Sequence, residues 1–352
     1  MWFPNAEVVI NPALLVFLGV IVGILGGFFG VGGGFLITGG LLVFGVPPLY
    51  AVGTGITLIM GASLVNTMKH RQLGHIDFKL GALMALGSLP ALYGATRLNA
   101  ALEAADLAGP VIRYTYVVLL ALLGMFILFD YLRSRKAIAN DPDAISTARL
   151  AVWIQRLSLP PSWVQVPGIG KVPTRVAFPV AGIESVSIFL PVIIGVGIGF
   201  LAGLLGAGGA FILTPVLIYF LGVPTITAIG TSLFQVMLTG TVGTFIYATS
   251  DRVDPLMAVI MLATASIGAQ LGATGTKVIE PARIRFLFGI MVLAGCLAVG
   301  LEEVSEAAEI DELSTVASVV LLGVGGLICL VIAALVIKAG RNPGTSAQTG
   351  EI

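Results

Sequence analysis

Eleven apolar segments separated by short polar loops run along the chain. A full membrane span needs about 20 residues. The second and seventh segments are shorter, so we expect each to form a re-entrant hairpin or partial span with the segment before it. Each half then has one hairpin and three spans, and one more span follows. The segments cover approximately residues 12–28, 34–45, 50–68, 80–97, 112–130, 187–205, 210–221, 226–248, 256–276, 285–301 and 315–337.

Composition agrees with this pattern. Hydrophobic residues make up 57% of the 352 residues, charged residues only 10%, and the mean hydropathy is +1.05. The chain has too little polar surface for a soluble globular fold, so its principal partner is the lipid bilayer. With 18 basic and 18 acidic residues it has no net positive charge for nucleic acid, and we expect no nucleic-acid partner.

Two glycine-rich segments are near copies of each other, which indicates an internal duplication. The first runs from Gly26 to Phe35 and the second from Ala202 to Phe211. The matches continue, at an almost constant offset along the chain, from the Val-Pro turn after each segment to the span that follows Asp77 or Asp254. A match of this length predicts two structural repeats.

Orientation follows from the distribution of lysine and arginine, which favours the cytoplasmic side. Three regions hold most of the basic residues: the loop 69–79, the linker after residue 132 and the loop 277–285. The six acidic residues between Glu302 and Glu312 are expected in one outer loop. Tracing the spans through these sides makes the halves inverted repeats, with the N-terminus outside and the C-terminus cytoplasmic. In the alternative, parallel repeats, one basic loop would lie outside.

The predicted fold is therefore all-α and polytopic, with five parts. Residues 133–186 are a cytoplasmic insert, in which the sequence predicts an amphipathic helix around 145–157 and a short hairpin between Trp163 and Val176. The C-terminal tail is expected to be disordered. The parts are repeat 1 (1–132), the insert (133–186), repeat 2 (187–301), an acidic outer loop with the final span (302–338), and the tail (339–352).

The candidate site is built from neutral groups, because charged residues lie at the ends of spans or in loops. Broken helices present N–H donors and a positive dipole end, which suit an anion without a basic side chain. Hydroxyl and amide side chains near the glycines complete the set, although glycine and threonine in membrane helices also serve packing alone. The predicted substrate-binding residues are Gly32, Gly33, Gly34, Thr38, Thr54, Asn66, Gly208, Gly209, Thr214, Thr231, Ser232 and Gln235.

Four titratable residues lie near these spans, and we expect each of them to have a structural role. His70 and His75 are candidates for pH sensing or proton relay, but we expect interfacial surface residues. Asp77 and Asp254 each precede a span, so helix capping accounts for them. The sequence predicts no metal site, cofactor or catalytic residue.

Each glycine-rich hairpin is followed by a short motif: Gly45-Val46-Pro47 with Gly53-Thr54 in the first half, and the copies Gly222-Val223-Pro224 and Gly230-Thr231 in the second. With these motifs, both halves resemble the TauE/SafE sulfite exporter family. This resemblance implies a permease of the bacterial inner membrane for sulfite, sulfoacetate or other small organosulfonates. The chain departs from the pattern at Gly39, where the second half has Pro215, and in its long insert.

The expected function is transport of a small anion by alternating access, with export favoured by a cytoplasm-negative potential. An anion channel is one alternative, and a membrane scaffold that docks partners through the insert is another. We expect no enzymatic activity, since no nucleophile with a base or metal cluster is present. Homodimerisation stays open.

Overall fold

The computed structural model describes residues 1–31, 33–140, 163–166, 170–206, 208–276, 278–308 and 311–341. Eight helices in this part are long and apolar enough to cross a membrane. The all-α polytopic fold and every predicted apolar segment are thereby confirmed. The helices are α1 (Pro12–Phe29), α2 (Gly34–Val43), α3 (Pro48–Gln72), α4 (Phe78–Ala104), α5 (Ala108–Asn140), α6 (Phe189–Leu205), α7 (Ala210–Tyr219), α8 (Thr225–Thr249), α9 (Pro255–Gly275), α10 (Pro281–Ala308) and α11 (Asp311–Arg341).

Glycines break the helix in both hairpins. Gly30 ends α1 with φ of 72°, and Gly33 precedes α2 with φ of 76°. In the second hairpin Gly206 ends α6 with φ of 65°, and Gly209 precedes α7 with φ of 72°. A left-handed backbone is readily adopted only by glycine. Each glycine-rich segment therefore interrupts the helix, as its sequence predicted.

The first helix of each half packs against a helix of the other half. α1 lies along α9, and α6 lies along α4. Glycines make this approach possible: a Cβ added at Gly23 would clash with the Ala265 carbonyl, and one at Gly199 would clash with the Ser88 carbonyl. In the duplicated sequence Gly199 is the counterpart of Gly23, and Ala265 is the counterpart of Ser88. Equivalent residues thus meet in both halves, and the two halves share their core.

α3 and α8 run in opposite directions beside each other. Thr54, near the start of α3, contacts Asp254, which follows the end of α8. Thr231, near the start of α8, contacts Asp77, which follows the end of α3. Both contacts require the start of one helix to lie at the end of the other. The two helices are therefore antiparallel.

Six short strands form three antiparallel hairpins in the described part of the chain. The hairpin predicted in the insert is confirmed, since β3 (Trp163–Val166) pairs with β4 (Gly170–Pro173). The amphipathic helix predicted around 145–157 lies outside the described residues. Sequence patterns missed β1 (Trp2–Phe3) with β2 (Val8–Val9), and β5 (Arg175–Phe178) with β6 (Ile183–Ser187).

The predicted acidic loop is largely helical, which corrects its boundaries. α10 extends to Ala308 and therefore includes Glu302 and Glu303, and α11 begins at Asp311. Glutamate is a good helix former, so the end of apolar sequence did not mark the end of the helix. α5 likewise continues to Asn140, beyond the predicted start of the insert.

The start of the predicted tail is also helical. α11 continues to Arg341, so the first part of the segment expected to be disordered belongs to this helix. Its basic residues suit a helix C-terminus, where the dipole places negative charge. The rest of the predicted tail, from residue 342 onward, lies outside the described residues.

Candidate functional site

The two hairpin tips carry buried backbone N–H groups that have no acceptor among the residues that the structure describes. Gly33, Gly208 and Gly209 are buried, and their amides donate to no acceptor among the described residues. Gly34 differs, because its amide bonds to the Val31 carbonyl at 3.2 Å. Gly32 lies outside the described residues. The free amides precede α2 and α7, where helix dipoles place positive charge, so they fit an anion.

In this conformation the second tip is closed. A Cβ added at Gly208 would lie 2.8 Å from Ile59 and 3.1 Å from Val236, and both of these side chains are fully buried. These apolar side chains leave no room beside Gly208, so a ligand fits there only after α3 or α8 moves relative to the tip.

Threonines of α2 and α7 tie each hairpin to the other. Thr38 Oγ1 donates to the Gly206 carbonyl at 3.2 Å, and Thr214 Oγ1 donates to the Gly30 carbonyl at 3.3 Å. Ser232 Oγ also lies 2.8 Å from the Gly30 carbonyl and 2.8 Å from Thr214 Oγ1. These carbonyls end broken helices and have lost their helical partners. Three of the predicted site residues therefore contact the helix breaks directly.

Thr54 and Thr231 lie away from the helix breaks. Thr54 lies at the start of α9 and Thr231 at the start of α4, and an aspartate caps each of these helices. Thr54 Oγ1 accepts the amide of Asp254 at 2.9 Å, and Thr231 Oγ1 accepts the amide of Asp77 at 3.0 Å. Asp77 in turn caps α4 by accepting from the Leu80 amide at 3.0 Å, and Asp254 caps α9 in the same way. The predicted capping role of both aspartates is confirmed, and the two threonines hold these caps in place.

Asn66 and Gln235 are buried but do not join the other predicted residues. Asn66 Nδ2 donates to the Ala62 carbonyl at 3.0 Å, and Gln235 Nε2 donates to Ser88 Oγ at 2.9 Å. The side-chain oxygens Oδ1 of Asn66 and Oε1 of Gln235 have no partner. The twelve predicted residues thus fall into several groups, and their part in substrate binding stays a prediction.

His70 and Tyr247 contact the helix ends at the hairpins, although the sequence did not place either of them in the site. They occupy equivalent positions in the two repeats. His70 Nε2 lies 3.2 Å from the Gly27 carbonyl, and Tyr247 Oη donates to the Gly203 carbonyl at 2.7 Å. His70 is fully buried, so its expected place on the surface was wrong. Comparing the two repeats position by position would have found this pair.

Two adjoining cavities lie at the side predicted to face outward, with volumes of about 450 and 560 Å³. Arg97, Arg113 and Arg252 line them, and these are the three basic residues outside the regions assigned to the cytoplasm. Arg252 pairs with Glu103, and Arg113 pairs with Glu303 at 3.3 Å. Arg252–Glu103 joins one half to the other, and Arg113–Glu303 joins α5 to α10.

No group of three or more histidine, cysteine, aspartate or glutamate side chains in the described ranges could hold a metal ion. The groups available at the tips are amides, hydroxyls and carbonyls. Such groups can bind and orient a small ion, and charge on the ligand can be balanced by helix dipoles.

Comparison with known proteins gives one family and several relatives. The family model for "Sulfite exporter TauE/SafE" matches residues 15–299. Two probable membrane transporter proteins of Bacillus subtilis are similar over 80% of the chain: YunE, at 22% identity over 95% of its length, and YjnA, at 23% over 97%. A probable membrane transporter protein of Xylella fastidiosa is 38% identical over 28% of the chain and 39% of its own length. No solved structure shows significant similarity.

Proposed function

The chain belongs to the sulfite exporter TauE/SafE family of membrane transporters, and on that premise we propose that it exports sulfite or a small organosulfonate across the bacterial inner membrane. The observation that carries the proposal is the set of buried amides at Gly33, Gly208 and Gly209, which have no acceptor in the described part of the chain. A buried N–H without an acceptor is costly. An oxyanion supplies several acceptors at once, so it fits this position.

Alternating access is the mechanism we propose. Ile59 and Val236, one residue from each half, fill the space beside Gly208 at the second tip. Movement of one half against the other would uncover the tip on one side at a time. The ion pair Arg252–Glu103 joins the halves at the predicted outer side, so it would part when that side opens.

The proposed direction follows from the membrane potential. A negative ion that leaves a cytoplasm-negative cell gains about 2.3 kcal/mol per charge per 100 mV. Export therefore needs no coupling ion, whereas uptake would need one.

The test is flux through purified protein in liposomes. Sulfite and sulfoacetate efflux are measured under an imposed potential, for the wild type and for Gly208→Ala. The matched control is Gly45→Ala: Gly45 has φ of 77°, close to the 66° of Gly208, but has no atom within 4 Å of an added Cβ. Both variants strain the backbone equally, and only Gly208→Ala adds a methyl group at the tip.

Saturable flux that is lost in Gly208→Ala and kept in Gly45→Ala supports the proposal. Wild-type protein that is folded yet carries neither anion would overturn the substrate assignment. Flux that does not saturate with substrate would instead favour a channel.

A further inference from the structure

Four buried polar side chains line one face of α3. Ser63, Asn66, Thr67 and His70 follow the spacing of a single helix face. Thr67 is 6% exposed and the other three are 0% exposed. Each has one polar atom without a hydrogen-bond partner: Ser63 Oγ, Asn66 Oδ1, Thr67 Oγ1 and His70 Nδ1. We call these four residues the α3 polar face.

Three of these four side chains are specific to the first half. Its equivalents on α8, at the offset that relates the two repeats, are Gly240, Gly243, Thr244 and Tyr247. The second half therefore keeps two hydroxyl groups, those of Thr244 and Tyr247, and has glycine at the other two positions. The serine, the amide and the imidazole of α3 have no counterpart of the same kind in the second half.

The free atoms on this face include two fixed acceptors. Asn66 Nδ2 is used by the Ala62 carbonyl, which leaves Oδ1 free. His70 Nε2 faces the Gly27 carbonyl, so Nε2 carries the proton and Nδ1 is a bare acceptor in the neutral ring. A small anion needs donors and would be repelled by both atoms. Water molecules and a transferable proton fit them, since buried unpaired polar groups usually bind ordered water.

His75 links the face to the protein surface. It is half-buried in the loop between α3 and α4, and its ring centroid lies 5.7 Å from that of His70. It is the titratable neighbour of His70 in the described part of the chain. On α3 itself, Lys69 is half-buried and Arg71 is exposed.

The helices packed around the α3 polar face bring no other charge to it. α1, α2, α8 and α9, which pack against α3, contain no charged residue. α5 meets α3 at its opposite end, where Gly109 lies near Pro48. A change in the charge of His70 therefore acts mainly on His75 and on the helix ends next to His70.

A protonated His70 has a favourable partner in α1. The Gly27 carbonyl belongs to the last turn of that helix, where the dipole places negative charge. An imidazolium there donates from Nε2 to this carbonyl and from Nδ1 to water. Its positive charge also offsets the carbonyl end of α1, which would otherwise repel an anion that approaches the first hairpin tip.

We propose that His70 binds a proton taken from the predicted cytoplasmic side, and that the α3 polar face is the hydrated path that connects this proton to the hairpin tips. The proton passes from hydronium to Nδ1 and leaves by the reverse step, with no other bond made or broken. This inference rests on the proposed anion transport. It predicts that anion entry from the cytoplasmic side becomes faster as the pH on that side falls.

Flux in liposomes tests the coupling. The probe is an alkanesulfonate, whose charge does not change with pH in this range, and the pH on the cytoplasmic side is varied from about 7 to about 4, because burial makes the charged form of the ring costly. The variant is His70→Tyr, which installs the residue of the second half and keeps a donor for the Gly27 carbonyl. We expect a several-fold rise in the wild-type rate and a flat profile in His70→Tyr. An unchanged pH profile in His70→Tyr would overturn the proposal.

A second measurement does not depend on transport. The chain has only two histidines, so ¹⁵N-histidine labelling of a His75→Gln variant reports His70 alone. Magnetic resonance of this protein in lipid is expected to show an Nε2-protonated neutral ring at high pH, and a doubly protonated ring on acidification. A ring that stays neutral down to pH of about 3, with and without sulfonate, contradicts proton binding. Loss of flux with normal titration would reject only the proposed substrate.

Discussion

Thr38 and Gly206 are far apart in sequence, yet the threonine hydroxyl donates to the glycine carbonyl at 3.2 Å. The equivalent pair, Thr214 and Gly30, makes the same bond in the opposite direction between the halves. Each half therefore supplies the hydrogen bond that the broken helix of the other half lacks. The two breaks support each other, and neither half provides all the partners of its own hairpin.

We expect Thr38→Val to lower the free energy of unfolding by about 1–3 kcal/mol, because it leaves a buried carbonyl without its donor. Thr214→Val should cost less, since Ser232 also donates to the Gly30 carbonyl, whereas Gly55 occupies the position equivalent to Ser232. Unfolding in detergent micelles measures both values. Thr241→Val is the control, because its hydroxyl bonds within its own exposed helix turn. If Thr38→Val and Thr214→Val lowered the free energy of unfolding equally, the Ser232 hydroxyl would not compensate for the lost donor at the Gly30 carbonyl.

Gly199→Ala should destabilise the protein by about 1–3 kcal/mol or more, because the added methyl group clashes with the backbone of α4 at Ser88. Gly197→Ala on the same helix is the matched control. No atom lies within 4 Å of its added Cβ, so we expect a gain of up to about 1 kcal/mol from helix propensity. Thermal unfolding compares the two variants, and similar stability would contradict the close packing of α6 on α4.

Breaking the Arg252–Glu103 ion pair should affect transport more than stability. Both side chains are about one-third exposed, so we expect Glu103→Gln to change the free energy of unfolding by less than about 1 kcal/mol. Because the pair joins the halves on the predicted outer side, its loss should raise the initial rate of flux. The double variant Glu103→Arg with Arg252→Glu should bring the rate back towards the wild-type value. A wild-type rate in Glu103→Gln would exclude a gating role for this pair.

Accessibility of equivalent positions tests the orientation of the repeats. Gln72 and Thr249 end α3 and α8, correspond to each other in the duplication and are both exposed. A membrane-impermeant maleimide added to whole spheroplasts should label Thr249→Cys, and should label Gln72→Cys only after permeabilisation. The parent chain controls for the native Cys296 and Cys329. Labelling of both variants from the same side would favour parallel repeats.

Much of the fold could be predicted from the sequence because its signals are local. Apolar segment length indicated the helices, and the spacing of Gly30, Gly33, Gly206 and Gly209 indicated the two breaks. The end of α10 was missed, since Glu302 and Glu303 continue the helix beyond the apolar span. A charged residue marks the edge of the hydrocarbon layer, but it does not stop a helix.

The candidate site could be predicted only in part, because hydrogen-bond partners depend on contacts between distant segments. The sequence by itself determined the duplication, the spans and the glycine breaks, and it grouped Thr38, Thr54, Thr214 and Thr231 as one set of hydroxyls. Only the tertiary structure decided that Thr38 and Thr214 bond to the helix breaks while Thr54 and Thr231 hold the caps at Asp254 and Asp77. It also decided that His70 is buried against α1. Hydropathy along a chain reports where a residue lies relative to the membrane, whereas its partners are fixed by which helices pack side by side.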